Sequence, residues 1–239
     1  MFKNKNEKIE QIHQAIYENR RWIQEVYWGQ KFSFAIRGSK WLVKANFNVG
    51  HWALGFPALY ILFRVLNAIK PKSIIEFGLG ESTRMTFQYV QSFPDVKLQV
   101  IEQNQDWFDF FVVEVPGITK NVKMLPVEKR NVYSYETSVY SNLIENISGQ
   151  KYDLVLIDGP VGSPNFSRSQ LIDIIEYDLL DDNFVILLDD YDRTGEQQTA
   201  AKCLDLLHKK GVVYNCGSYR GEKTMLAICS ERYKYLTDL

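Results

Sequence analysis

The sequence has few of the residues that would indicate a disulfide framework, a metal cluster or a nucleic-acid partner. It contains only three cysteines, Cys203, Cys216 and Cys229, and they lack the spacing of metal ligands. An odd number of thiols behind a polar start with no signal peptide predicts reduced cysteines in a cytoplasmic protein. The formal net charge of −1 provides no basic footprint, which argues against nucleic acid.

Long apolar runs are also missing. The longest, residues 52–69, is interrupted by Gly55, Pro57, Arg64 and Asn67, so the sequence predicts no membrane span. The hydrophobic fraction of 46% and the charged fraction of 24% are typical of a globular protein, and 239 residues can bury a substantial core.

What the sequence does contain is a regular alternation of strand-like and helix-like segments from residue 57 onward. This pattern predicts an α/β fold with a doubly wound parallel sheet covered on both faces. The last two strand-like runs are joined by too few residues for a parallel crossover, so they must form an antiparallel hairpin. We therefore expect a mostly parallel seven-stranded sheet with one antiparallel strand at the end of the order. The predicted strands are KSIIEFG, KLQVIEQ, NVKMLPVE, KYDLVLIDGP, NFVILLDDY, VVYNCGSY and KTMLAICS.

The first 56 residues lie outside this alternation. Apolar side chains at helical spacing predict one or two helices over residues 5–30, followed by a mostly irregular connection over residues 31–50. We expect an N-terminal helical and irregular extension, 1–56, and a ligand-binding domain, 57–239. The aromatic N-terminal segment is a candidate homodimer surface.

Two further segments carry weaker expectations. Residues 129–150 read as a polar connection. His51 and Trp52, which precede the helix predicted to begin at Pro57, are candidates for a lid, although buried packing is the simpler interpretation. His208, near the end of a predicted helix, needs no role beyond a favourable interaction with the helix dipole.

A glycine turn follows the first predicted strand. In SIIEFGLGESTR, Gly78 and Gly80 allow the backbone to turn tightly and approach a ligand. A dinucleotide site needs a small residue three positions after the second glycine, but Thr83 stands there, and a P-loop motif is absent. The acids Glu76 and Glu81 are poor neighbours for phosphates. A ligand with a positive centre, such as S-adenosylmethionine (SAM), fits this turn better.

An acid ends the second predicted strand about twenty residues beyond the glycines. In VIEQN, Glu102 stands where a carboxylate can accept both hydroxyls of a ribose. Dinucleotide and SAM sites share this feature. Glu102 therefore indicates a ligand with a nucleoside part but does not distinguish a dinucleotide from SAM. An ordinary strand-end acid is the alternative.

Four motifs in order, EFGLGESTR, VIEQN, YDLVLIDGP and FVILLDDYDR, followed by a strand pair with almost no helix between, resemble a class I SAM-dependent methyltransferase. The resemblance covers about residues 57–230. It implies that Glu76, Gly78 and Gly80 line the methionine part of SAM, that Glu102 holds the ribose, and that Gln103 lies near the adenine. The complete set of implied cofactor-binding residues is Glu76, Gly78, Gly80, Glu81, Ser82, Glu102, Gln103 and Asp158.

Acids also end the fourth and fifth predicted strands, as Asp158, Asp189 and Asp190. This arrangement is similar to that of metal-assisted and macrocin-type sugar O-methyltransferases, which implies catalytic roles and a Mg²⁺ site for these three residues. Without a metal, one of them can act as general base. The DGP turn after the fourth strand departs from the usual acid-rich turn. The simpler alternative is that Asp158 caps a loop and that Asp189 and Asp190 are solvated.

The resemblance predicts a methyltransferase that modifies an oxygen of a small polar acceptor, such as a glycan sugar or a secondary metabolite. Nitrogen methylation stays open, as does a non-catalytic SAM- or nucleoside-binding module or partner subunit. A nicotinamide-dependent enzyme is a weaker alternative, because of Glu81 and Thr83. Arg168 and Arg193 are candidates for contacting an anionic group on the acceptor.

Overall fold

The computed structural model describes residues 2–50 and 53–239, with side chains from residue 6 onward. The predicted lid residues His51 and Trp52 lie outside the described residues. Helix α1 (Phe2–Ala35) begins the chain as a single long helix, which extends beyond the predicted helical range and shortens the predicted irregular connection. Within the described ranges, no helix is long and apolar enough to cross a membrane.

A seven-stranded sheet forms the centre of the molecule and confirms the predicted fold class, with the order β3-β2-β1-β6-β7-β9-β8. Neighbouring strands are parallel from β3 to β7, whereas β9 is antiparallel to both β7 and β8. The antiparallel strand is therefore next to last, not at the end of the order as predicted. The strands are β1 (Ser73–Phe77), β2 (Lys97–Glu102), β3 (Val122–Met124), β6 (Tyr152–Ile157), β7 (Leu180–Leu188), β8 (Tyr214–Arg220) and β9 (Thr224–Ser230).

An antiparallel hairpin interrupts the segment predicted as a polar connection. It comprises β4 (Val127–Val132) and β5 (Tyr135–Tyr140), and helix α5 (Leu143–Ile147) follows. The prediction for residues 129–150 was wrong because the turn carries no familiar signal. Tyr133 and Ser134 adopt positive φ angles of 48° and 71°, which two-residue hairpins usually assign to Asn and Gly.

Helices cover both faces of the sheet, and each face has its own apolar core. The core on one face joins β-strand side chains to α2 and α3, and the core on the other joins them to α6 and α7. A short π-helical turn extends α2 and ends before Pro71, as expected for a residue that precedes proline. The helices are α2 (Phe56–Arg64), α3 (Glu81–Ser92), α4 (Gln105–Glu114), α6 (Gln170–Glu176) and α7 (Thr194–Lys209).

The second half of α1 packs on the turn between β8 and β9. The Glu25 carboxylate accepts hydrogen bonds from the backbone N–H of Phe56 at 2.5 Å and of Glu222 at 2.8 Å. The Trp28 indole donates to the Arg220 carbonyl at 3.1 Å. These contacts fix the turn that lies beside the carboxyl ends of the central strands. The division into parts at residues 56 and 57 stays a prediction.

Candidate functional site

The glycine loop between β1 and α3 lies against the loop that follows β6. Gly78 has a φ of +95°, and a Cβ added to it would lie 3.1 Å from the Gly159 nitrogen, so only glycine fits there. Gly80 is different, because its φ of −170° suits any residue and a Cβ would meet nothing within 4 Å among the described residues. Gly80 therefore borders open space at the edge of the sheet.

Glu76 is fully buried at the end of β1, beneath the first turns of α3. Its carboxylate accepts hydrogen bonds from the hydroxyls of Ser82, Thr83 at 3.0 Å and Thr86 at 3.0 Å. Burial raises the pKa of Glu76 to about 7, although the three hydroxyl donors oppose that shift. The structure thus brings the predicted ligand residues Glu76 and Ser82 together, where they bond to each other.

Glu102 ends β2 directly below the glycine loop. One carboxylate oxygen accepts from the backbone N–H of Leu79 at 2.8 Å, and the other accepts from those of Gln103 and Asn104, both at 2.7 Å. A carboxylate has about four lone-pair positions, so one remains for a ligand hydroxyl. The residue is 3% exposed, so its carboxylate is largely covered by this loop.

The neighbours of Glu102 provide a second indication of a ligand. The Gln103 side-chain oxygen is buried and has no hydrogen-bond partner among the described residues. A buried acceptor without a partner costs free energy, and an exocyclic amino group such as that of adenine would satisfy it. Glu81, in contrast, pairs with Arg84 at 3.1 Å and accepts from the Asn48 backbone N–H at 3.2 Å.

Tyr140 lies at the centre of this region, and the sequence interpretation missed it because it belongs to the unpredicted hairpin. Its ring packs on Phe77 with centroids 5.9 Å apart, and its hydroxyl donates to the Ile101 carbonyl at 3.4 Å. A Cβ added to Gly159 would lie 2.6 Å from this hydroxyl. Burial and, after it, the Glu102 charge raise the pKa of Tyr140 well above its usual value.

The three predicted catalytic acids converge at the ends of β6 and β7. One carboxylate oxygen from each of Asp158, Asp189 and Asp190 lies within 4.8 Å of the others. Asp189 and Asp190 are 1% and 3% exposed, which contradicts the alternative that they are solvated. Asp158 retains 23% side-chain exposure and is therefore the member open to a ligand.

Arg168 is buried inside this cluster instead of facing an acceptor. Its guanidinium donates to Asp158 at 3.1 Å, to Asp190 at 2.6 Å and to the Asp189 carbonyl at 2.8 Å, and it lies 3.6 Å from Glu196. The planar guanidinium has its N–H donors in a rigid arrangement, so it can bind acceptors on several sides at once. The structure therefore assigns Arg168 to the internal ion pairs of the cluster.

Two more cations complete the cluster from the rim. Lys223, from the β8–β9 turn, lies 3.2 Å from Asp189 and 3.5 Å from Asp190. Arg193 pairs with Asp190 at 2.9 Å and keeps 52% side-chain exposure, so it stays available for an anionic group on a ligand. Lys223 was not recognised in the sequence, because its pairing depends on the hairpin turn.

Burial and like charges shift the protonation of these acids. Burial and then the Asp189 charge raise the pKa of Asp158, with Arg168 and Lys223 opposing the shift. Burial also raises the pKa of Asp189, which Lys223 opposes. Arg168 and Asp190 adopt φ angles of 58° and 57°, a region that non-glycine residues enter at a cost, often at functional sites.

The charges of the cluster also decide how well it suits Mg²⁺. The carboxylates provide the oxygen ligands that the ion prefers, and the buried Oδ1 of Asp189 has no partner among the described residues. However, Arg168, Lys223 and Arg193 already pair with these acids. Because each of the three aspartates already pairs with at least one of these cations, the side chains as arranged do not fit a divalent ion.

Comparison with known proteins gives a class for this arrangement. No family model matches the chain, and no curated protein matches it either. Among solved structures, a candidate O-methyltransferase from Klebsiella pneumoniae matches with a TM-score of 0.55 and 11% identity, over 90% of this chain and 98% of the other. The chain therefore has the fold of the class I SAM-dependent methyltransferases.

Two further structures support the same class. The methyltransferase PaMTH1 from Podospora anserina, bound to S-adenosylhomocysteine (SAH), matches with a TM-score of 0.52 and 13% identity, over 94% of this chain and 96% of the other. An O-methyltransferase from Bacillus cereus in complex with SAH matches with a TM-score of 0.50 and 12% identity, over 84% and 91%. At these identities the likeness establishes the fold.

Proposed function

We propose that the protein is a SAM-dependent methyltransferase that methylates an oxygen of a small polar acceptor, such as a glycan sugar or a secondary metabolite. The observation that carries the proposal is the contact between the Gly78 loop and the loop of Asp158, which brings a nucleoside-type turn beside a partly exposed acid. Two of the structural neighbours named above are crystallised with SAH. The cytoplasmic setting stays a prediction.

Three groups of the chain are suited to hold the cofactor. The open side of Gly80 leaves room for it, the remaining lone pair of Glu102 can accept a ribose hydroxyl, and the unpaired Gln103 oxygen can accept an adenine amino hydrogen. When bound, SAM supplies an electrophilic methyl group on a sulfonium. The glycine loop and α3 orient it without a charged clamp, which suits a ligand that has no phosphates.

Asp158 is the proposed general base. Burial raises the pKa of Asp158 to about 8, so only part of the carboxyl is deprotonated at neutral pH, but that part is a stronger base than an ordinary aspartate. Arg168 fixes the carboxylate through its 3.1 Å bond, and Arg193 at the rim can contact an anionic group of the acceptor. Asp189 and Asp190 then act indirectly, by holding Arg168 and Lys223 in place.

We further propose that the reaction is independent of Mg²⁺, because the cations of the cluster already pair with the carboxylates. Turnover and SAM binding should be unchanged, within about twofold, in EDTA and in added Mg²⁺. A loss of activity in EDTA that Mg²⁺ restores would support the predicted metal site instead.

Cofactor binding can be tested without knowing the acceptor. We expect calorimetry to detect SAM and SAH binding to the full chain. The variant Gly80→Val should weaken it by tenfold or more, because the new side chain fills open space instead of disturbing the fold. Glu128→Val, on the exposed β4 strand, is the control. Absence of SAM binding by the native protein would refute the proposed function.

The 3.1 Å bond from Arg168 to Asp158, which already engages the proposed base, favours a second candidate, a SAM-binding module without turnover. Screening sugars and phenols for SAH release separates the two. If the protein is an enzyme, Asp158→Asn should lower kcat by roughly 10²–10⁴-fold, the range typical of a general base, with little change in SAM affinity. Asp182→Asn, on the opposite end of β7, is the control. SAM binding with no turnover on any acceptor would favour the module.

A further inference from the structure

The first half of α1 extends away from the rest of the chain. Every residue from 6 to 20 is exposed, so this part of the helix has no packing partner within the described chain. A lone helix of such length is marginal in water, and most helical stability in proteins comes from packing one face. The packed second half of α1 can nucleate this segment, and packing of its exposed face on a partner would stabilise it further.

The exposed surface has a heptad pattern. The stripe, defined as Ile9, Ile12, Ile16, Ile23 and Val26, follows the alternating three- and four-residue spacing of coiled-coil a and d positions, with Asn19 at the one remaining place. The exposed fractions of the five apolar side chains range from 42% to 69%. Such a contiguous apolar stripe indicates a helix-binding surface.

The stripe faces away from the domain that α1 packs on. The opposite side of the helix carries Arg21, Glu25, Trp28 and Phe32, which make the contacts with the β8–β9 turn and the core. The chain therefore cannot cover the stripe with its own domain while these contacts are formed. A shallow groove of about 440 Å³ on the stripe, next to Trp22, stays open.

We propose that a second copy of this chain covers the stripe, with the two α1 helices parallel and in register. A parallel pair places each apolar position against its own copy and sets Asn19 against Asn19, where the two amides can hydrogen-bond to each other. An antiparallel pair over the same residues would bury Asn19 against Ile16. Asn19 takes a d position of the heptad, and pairing it with its own copy avoids leaving its amide unsatisfied against isoleucine.

The oligomeric state of the full chain tests the proposal. Sedimentation of the native protein should give twice the mass of the 27.9 kDa chain at micromolar concentration. Replacing both Ile16 and Ile23 by Lys should raise the dissociation constant at least tenfold and lower the helical circular dichroism. Gln14→Lys and Gln11→Lys together, off the seam of the same helix, form the control and should stay dimeric.

The parallel orientation of the two α1 helices is tested by a disulfide cross-link. In a Cys216→Ser background, which removes the exposed thiol, Asn19→Cys should form an intermolecular disulfide in the parallel dimer. A dimer that does not cross-link at this position would overturn the parallel register. A native protein that stays monomeric, or one whose stripe binds anionic lipid vesicles as a monomer, would overturn the proposal altogether.

Discussion

Two of the acidic groups at the carboxyl edge of the sheet, Glu76 and the aspartate cluster, are stabilised by different means. Glu76 is surrounded by hydroxyls of α3 and has no cation within hydrogen-bonding distance among the described residues. The cluster of Asp158, Asp189 and Asp190 is surrounded by cations. Hydroxyls can bond to either protonation state, whereas cations stabilise only the charged one. Glu76 is thus suited to a structural role under the glycine loop, whereas the charge of Asp158 and Asp189 depends on the cations beside them, which oppose the rise in their pKa.

Among the variants considered, removal of the buried cation Arg168 should have the largest effect on the free energy of unfolding. We expect Arg168→Met to lower the free energy of unfolding by about 3–5 kcal/mol, because it leaves buried carboxylates uncompensated. Arg193→Gln removes an exposed partner of the same Asp190 and should cost about 0–1 kcal/mol. Urea denaturation measures both. Equal losses in the two variants would contradict the distinction between the buried and the rim cation.

Glu76 should make the stability depend on pH in the opposite sense from an ordinary ion-paired acid. Its pKa rises from 4.5 to about 7 on folding, so the folded state holds a proton that the unfolded state releases. The resulting stabilisation is complete below pH 4.5 and is lost as the pH rises through 7. At about 1.4 kcal/mol per pKa unit, the loss is roughly 3 kcal/mol.

The variant Glu76→Gln tests this dependence, since it cannot titrate. Unfolding free energies measured between pH 4.5 and pH 8 should fall more steeply for the native protein than for the variant. Glu128→Gln is the control, because that exposed carboxylate also accepts from a hydroxyl, that of Ser141 at 3.0 Å. Parallel pH profiles of the native protein and Glu76→Gln would show that Glu76 stays ionised in the fold.

The sequence predicts those parts of this edge that depend on residues close together in the chain. Local patterns predict the glycine turn, the acids at the strand ends and the mostly parallel sheet. They also predict that these acids lie near one another, because the carboxyl ends of parallel strands meet at one edge. The pairing of Arg168 and Lys223 with the aspartates depends on segments far apart in the chain. The Tyr133–Ser134 turn has no sequence signal, so the hairpin and Tyr140 were missed.

Tyr140 lies near both Glu102 and Asp158, and we expect the loss of its hydroxyl to have the smallest effect on stability. We expect Tyr140→Phe to change the free energy of unfolding by less than about 1 kcal/mol, because its bond to the Ile101 carbonyl is long, at 3.4 Å. SAM affinity should change by less than threefold. Tyr140→Ala should cost about 3–5 kcal/mol, as is usual for a deleted buried ring.

The pair of variants separates the ring from the hydroxyl. If the ring alone matters, Tyr140 supports the Gly78–Gly159 contact by packing on Phe77, and its hydroxyl is incidental. A tenfold loss of SAM binding in Tyr140→Phe, measured by calorimetry, would instead show that the hydroxyl orients Glu102 or the ligand. Glu102 and the aspartate cluster would then be coupled through this tyrosine and could no longer be treated as independent.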